Sequence, residues 1–259
     1  MKQNAYLVGP FIGELEWELY RFAPYAIHLK KENPKNKLIV FTRNPRFDLY
    51  GKYADILVPL NLKNENEYVQ NGFGIEKFDL YKFNILKDFY FKKYRKRFIV
   101  DDHIFPFVVT WRKKIKWQFP RSKMNYDFKP REENYSTLEK LFDSSSNVFV
   151  DNKDSDIRHA LYNAGYNPIM KHWLVDIVKK ENGSQVSYLG CLMVLLKDCK
   201  FVVASMQSIV GRLALLLKIP IISIDEKMSY DSISLLNPFE IPVINCYSIE
   251  EGVDIYEDM

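Results

Sequence analysis

Two loops combine residue types able to carry group-transfer chemistry. The first, Gly9-Pro10-Phe11-Ile12-Gly13-Glu14, is a tight turn leading from an apolar run into a helical pattern. Glu14 therefore falls at a helix N-terminus, beside backbone N–H groups that lack intrahelical partners. A carboxylate placed there can take a proton from an acceptor hydroxyl as a general base; it can equally do no more than complement the helix dipole. The second loop, Ala204-Ser205-Met206-Gln207-Ser208-Ile209-Val210-Gly211-Arg212, joins a buried strand pattern to another helix. Its hydroxyls and first-turn N–H groups suit a diphosphate. Arg212, one turn in, can add a bidentate contact to a phosphate oxygen. The competing role for Ser205 or Ser208 is an ordinary N-cap.

Other candidates carry less. Asp101-Asp102-His103 offers a carboxylate pair of the sort that can hold a divalent metal, but its place between a basic run and an apolar segment reads as a solvated turn. His28, His159 and His172 are isolated, and Cys191, Cys199 and Cys246 have no paired spacing, so no metal or cofactor is expected. Unpaired cysteines, and an N-terminal apolar run too short for a signal peptide, fit a reducing, cytoplasmic setting. Arg43 and Arg46 follow the second strand pattern, where they can meet an acceptor or donor phosphate, or simply occupy a solvated loop.

Charge is unevenly spread. The whole chain has a net charge of +4, yet Lys87 to Arg131 holds fourteen Lys or Arg against four Asp, so the remainder carries a deficit of six. The same stretch has twelve aromatic residues. Lys92, Arg95 and Arg97, then Arg112, Lys113, Lys114 and Lys116 beside Trp111 and Trp117, make an acceptor surface for a polyanion. Nucleic acid and an anionic membrane surface both qualify.

These residues must be positioned by a folded chain. With 259 residues and 47% hydrophobic content, disorder is excluded as the main state, while the apolar runs fall well short of the ~20 residues a membrane span requires. The patterns predict strands at 5–8, 38–42 and 55–59, with a helix over 14–31 that Pro24 kinks or restarts. That alternation implies a parallel sheet with crossover helices. A second α/β unit opens with a strand at 147–150 and continues with helices over 156–163, 173–180, 188–197 and 208–217 and strands at 200–204 and 220–224. Ser136-Thr137-Leu138-Glu139 and Ser248-Ile249-Glu250-Glu251 have capping-box spacing. The expected division is residues 1–135 and 136–259, two Rossmann-like domains facing a central cleft.

On these residues the chain resembles a known family. The run GELEWELYRFAPYAIHLKKENPKNKLIVF is similar to the opening of heptosyltransferase-like glycosyltransferases, with Gly13-Glu14 where the family has Gly-Asp. QSIVGRLALLLKIPIISI resembles the family's donor segment, with Gln207 in place of Asp, Ile209 in place of Gly and Arg212 in place of His. The resemblance covers about a quarter of the chain. It implies a glycosyltransferase-B fold and metal-independent inversion, with no cofactor beyond a nucleotide sugar as co-substrate. Glu14 would then be the base, with Gly13 beside the acceptor, while Ser205, Gln207, Ser208 and Arg212 hold the donor diphosphate. Some phage DNA glycosyltransferases share that fold, which with the basic stretch points to hydroxymethylated cytosine in DNA as acceptor. The alternatives are a surface glycan or lipid-linked acceptor, and a noncatalytic nucleic-acid-binding protein on the same fold.

Overall fold

The structure, a computed structural model, describes residues 2–11, 15, 18–60, 80–104, 123–138, 145–152, 154–180, 186–206, 208–224 and 237–259. The chain divides after Pro130 into two compact units.

The first unit contains β1 (Asn4–Val8), a π-helical turn (Glu18–Phe22) running straight into α1 (Ala23–Glu32), β2 (Lys37–Thr42), two 3-10 turns (Asn44–Leu49 and Gly51–Tyr53), β3 (Ile56–Pro59), α2 (Leu80–Arg95) and β4 (Ile99–Ile104). All its strand pairings are parallel, in the order β3-β2-β1-β4. β1 and β2 are central and almost wholly buried, which is why they read as continuous apolar runs rather than alternating ones. Pro24 stands in the first turn of α1, where its missing N–H interrupts nothing, so the helix restarts there as predicted. Phe41 of β2 meets the rings of Tyr90, Phe91 and Tyr94 of α2 at 5.1, 6.1 and 5.2 Å. Part of the aromatic content of the basic stretch is therefore core.

Asp101 and Asp102 lie within β4, not in the expected turn. They remain exposed, and Asp101 accepts hydrogen bonds from the side-chain amides of Asn4 and Asn36 at 2.9 and 2.7 Å. The chain leaving β1 is pinned to its neighbours: Gly9 N–H donates to Ile104 O (2.7 Å) and Phe11 N–H to Phe41 O (3.1 Å). Gly9 has φ +98°, and a Cβ there would lie 2.3 Å from Phe41 O, so only glycine suits this exit.

The second unit contains α3 (Glu132–Leu138), β5 (Asn147–Val150), α4 (Ser155–Asn163), β6 (Asn167–Met170), α5 (Lys171–Lys180), α6 (Tyr188–Lys197), β7 (Val202–Val203), α7 (Ile209–Leu216), β8 (Ile221–Ser223), β9 (Val243–Asn245) and α8 (Ile249–Glu257). Its strands are again parallel, in the order β6-β5-β7-β8-β9. α6 is buried from Tyr188 to Leu196, consistent with a helix apolar on every side. α3 docks on it, with the Asn134 Oδ1 accepting from Ser187 N–H at 3.0 Å. That contact places α3 wholly in the second unit, and the division falls ahead of it. Ser136 and Thr137 are not helix caps: they sit inside α3, and both hydroxyls donate to Glu133 O (3.1 and 3.0 Å). Ser248 does cap α8, accepting from Glu251 N–H at 3.3 Å. The chain is thus an α/β protein of two Rossmann-like units.

Candidate functional site

In the second unit, β5 pairs with β6 on one side and β7 on the other, so the strand order reverses between β5 and β7. A crevice opens at such a reversal, beyond the carboxyl ends of the strands. There the structure has a cleft of about 460 Å³. Asp151 and Asn152 follow β5 into it, Ala204 and Ser205 follow β7, Ile224 follows β8, and Tyr247 and Ser248 follow β9.

Of the helices that begin at this cleft, α4, α7 and α8 have a side-chain cap on the first turn, and α5 opens with Lys171. Asp154 accepts from Asp156 N–H on α4 (2.9 Å), Ser208 from Gly211 N–H on α7 (3.1 Å), and Ser248 from Glu251 N–H on α8. Their electrostatics differ. α4 has Asp156 in its first turn and α8 has Glu250 and Glu251, whereas α7 has no acidic residue there. Among these three capped starts, the partial positive charge of α7 is the one left without a carboxylate of its own. The approach of the 205–206 loop to α7 depends on Gly211, since a Cβ there would stand 2.3 Å from Ser205 O and 3.0 Å from Met206 Cα.

Asp151 is 5% exposed and lies 2.6 Å from Lys171 Nζ at the start of α5, an ion pair outside hydrogen-bond alignment. The buried Tyr188 hydroxyl has no hydrogen-bond partner among the described residues. Burial, and secondly the charge of Asp151, push its ionisation well above the ordinary tyrosine range. Asp151, Lys171, Tyr188 and Tyr247 were not singled out by sequence reasoning. The available signal was topological: residues directly following the carboxyl ends of parallel strands, or opening the next helix.

Of the residues expected to hold a donor, Ser205 and Ser208 line this cleft, and Ser208 also serves as the cap of α7. Arg212 is half-buried on α7 and is not among the cleft-lining residues. Gln207 lies outside the described residues, as do Gly13 and Glu14.

At the corresponding end of the first unit, two described arginines turn inward. Arg43 and Arg46 are 1% and 0% exposed, so neither occupies a solvated loop. Arg46 Nη1 donates to Glu18 Oε2 (2.9 Å), and the buried Tyr50 hydroxyl donates to Glu18 Oε1 (2.9 Å). Burial raises the Glu18 pKa above 4.5, against the lowering influence of Arg46 and Tyr50. The guanidinium expected to meet a phosphate is committed to an internal carboxylate.

On α2 and just after it, Lys92, Arg95 and Arg97 are exposed, while Phe91 and Tyr94 are buried. Lys92 and Arg95 line a basic surface groove together with Lys2, Lys87 and Lys96. Arg112, Lys113, Lys114 and Lys116 lie outside the described residues. Among the described residues, no group of three or more His, Cys, Asp or Glu is arranged to hold a metal ion, and no helix is long and apolar enough to cross a membrane.

Two parallel sheets with a crevice at a strand-order reversal define a glycosyltransferase-B type architecture, and comparison with solved structures agrees. No protein-family model and no curated protein sequence matches the chain. Its fold is similar to that of E. coli ADP-heptose lps heptosyltransferase II, with a TM-score of 0.54 and 11% identity over 99% of this chain and 100% of that one. UDP-GlcNAc 2-epimerase from Methanocaldococcus jannaschii aligns with a TM-score of 0.45 and 10% identity, over 100% of this chain and 92% of that one.

Proposed function

We propose that the chain is an inverting glycosyltransferase that binds a nucleotide-sugar donor in the cleft of the second unit. The observation that carries this reading is the α7 N-terminus, which borders the cleft with a serine cap and, unlike the capped starts of α4 and α8, no carboxylate in its first turn. Diphosphate oxygens accept well from such N–H groups. Ser205, Gln207 and Ser208 supply further donors, and Arg212 adds charge from one turn along. Stabilising the negative charge that builds on a departing diphosphate is the chemistry this end of the cleft suits. The similar fold of a protein named for ADP-heptose supports a nucleotide sugar as the ligand. Glu14 is the acceptor's general base, beside Gly13. The exposed Lys92, Arg95 and Arg97 meet a polyanionic acceptor, as do Arg112, Lys113, Lys114 and Lys116 on the sequence reading, with hydroxymethylated cytosine in DNA as the specific candidate. Arg46, spent on Glu18, has no part in the reaction.

The test is a transfer assay read by mass spectrometry. A pool of nucleotide sugars is offered to duplex DNA with and without 5-hydroxymethylcytosine, and the product is digested to nucleosides. A sugar mass on the modified base alone is the expected result. No added mass, despite thermal stabilisation by a nucleotide sugar, moves the acceptor to a glycan or lipid. Absence of both removes the transferase reading. Glu14→Gln should abolish transfer while leaving donor-induced stabilisation unchanged; undiminished turnover would remove Glu14 from the mechanism.

A further inference from the structure

Tyr247 is the most exposed of the large apolar or aromatic side chains in the described part of the chain, at 97%. It stands at the lip of the second-unit cleft, between the end of β9 and the Ser248 cap of α8. Its backbone is nonetheless fixed: Tyr247 N–H donates to Glu251 Oε2 (2.8 Å), and Glu251 N–H donates back to Ser248 Oγ. The other strongly exposed tyrosine, Tyr162, has the Arg158 guanidinium 5.4 Å from its ring. Among the described residues, no ring or cation is recorded against Tyr247. An open aromatic ring on a fixed backbone beside a cleft is a surface on which a flat ligand can stack, and tyrosine has only two side-chain torsions to order. Ile157, Ile224 and Ile249 line the same cleft and give it an apolar portion distinct from the α7 N-terminus.

We infer that Tyr247 is the stacking platform for the nucleobase of the donor nucleotide. The inference rests on the donor reading above and names the subsite for the base. Diphosphate and base then have separate anchors, the α7 N-terminus and Tyr247. Stacking is tolerant of base identity, because every nucleobase has a π-face. The platform supplies affinity for a nucleotide; selection among nucleotides falls to other groups.

The experiment compares UDP, ADP, GDP and inorganic pyrophosphate as ligands, with dissociation constants from calorimetric titration and competition. In Tyr247→Ala, the nucleoside diphosphates should bind roughly tenfold or more weakly. Pyrophosphate should bind as to the wild type, and Tyr247→Phe should restore nucleotide affinity, since the ring rather than the hydroxyl is responsible. The side chain packs against nothing described, so the alanine variant should keep the wild-type melting temperature. Equal nucleotide affinity in wild type and Tyr247→Ala overturns the inference and leaves the donor reading standing. Equal loss of pyrophosphate and nucleotide also overturns it, because the effect would then be on the cleft as a whole. A wild-type chain that binds none of the nucleoside diphosphates overturns the donor reading itself.

Discussion

The carboxyl ends of the two parallel sheets face opposite fates. In the first unit, the described space beyond β1 and β2 is filled from within: Glu18, Arg46 and Tyr50 satisfy one another, and Glu18 and Arg46 are 1% and 0% exposed. In the second unit, the equivalent space beyond β5 and β7 is a cleft of about 460 Å³, lined by polar groups and bordered by the starts of α4, α5, α7 and α8. The same backbone pattern thus carries either a buried ion pair or an open anion-ready crevice, depending on whether the chain after the strand supplies a long buried cation or short hydroxyl side chains. After β2, Arg46 folds inward to the Glu18 carboxylate; after β7, Ser205 and Ser208 line a cleft. Topology nominates the position, and side-chain length decides whether a ligand finds room.

The largest expected effect comes from breaking the buried ion pair. Arg46→Ala removes the cation from a buried pair and leaves Glu18 without it, a loss of about 3–5 kcal/mol in unfolding free energy at neutral pH. The pH dependence follows from Glu18. Its folded pKa lies above the ordinary 4.5 because burial outweighs Arg46 and Tyr50, so the ionised form costs the folded state more than the unfolded one. Its stabilising contribution is complete below 4.5 and is lost as pH rises through the raised folded value. Denaturant unfolding of Arg46→Ala at acid and neutral pH should show the larger deficit at neutral pH. A deficit under about 1 kcal/mol would mean that the pair does not hold this end together.

A middle-sized effect sharpens the contrast at the open end. Gly211→Ala should gain up to about 1 kcal/mol in helix propensity, but its Cβ would meet the Ser205 carbonyl oxygen at 2.3 Å. Backbone cannot rotate aside as a side chain can, so overpacking, typically about 1–3 kcal/mol, should win. The variant should unfold more easily and also bind nucleotide more weakly, because the 205–206 loop must move where it borders the cleft. Increased stability with unchanged nucleotide affinity would show that the loop is not held by this contact.

Legibility in the sequence tracks how local the cause is. The strand at 147–150 and the helix at 188–197 coincide with the predicted residues, since Val148-Phe149-Val150 and the nearly all-apolar α6 have one stable environment each. β6 and β9 escaped because Asn167-Pro168-Ile169-Met170 and Val243-Ile244-Asn245 are short and carry turn-type residues; parallel partners on the sheet define them. α2 had weak periodicity, and its place is set by contacts of Tyr90, Phe91 and Tyr94 with Phe41, roughly fifty residues earlier. The same holds at the site. Ser205 and Ser208 were visible as a loop before a helix, whereas Lys171 and Tyr247 become candidates only once the strand order brings five strand ends to one cleft. Arg46 was misplaced because its partner, Glu18, opens the π-helical turn before α1, twenty-eight residues earlier in the chain.

The smallest stability effect separates capping from ligand binding at Ser208. Its hydroxyl accepts from Gly211 N–H, so Ser208→Ala should cost about 1 kcal/mol and Ser208→Gly only a few tenths. Ser208→Asp keeps an acceptor oxygen at the cap and adds a charge that α7 itself favours, so its stability should match or slightly exceed that of the wild type. The same carboxylate would put a negative charge at the α7 start, which has no acidic residue of its own, and repel an incoming diphosphate. Unfolding free energy and UDP affinity, measured on all three variants, should therefore part company: aspartate best for the fold and worst for the ligand. If UDP affinity instead follows stability across the series, Ser208 acts only as a cap and the anion-ready end of the cleft lies elsewhere.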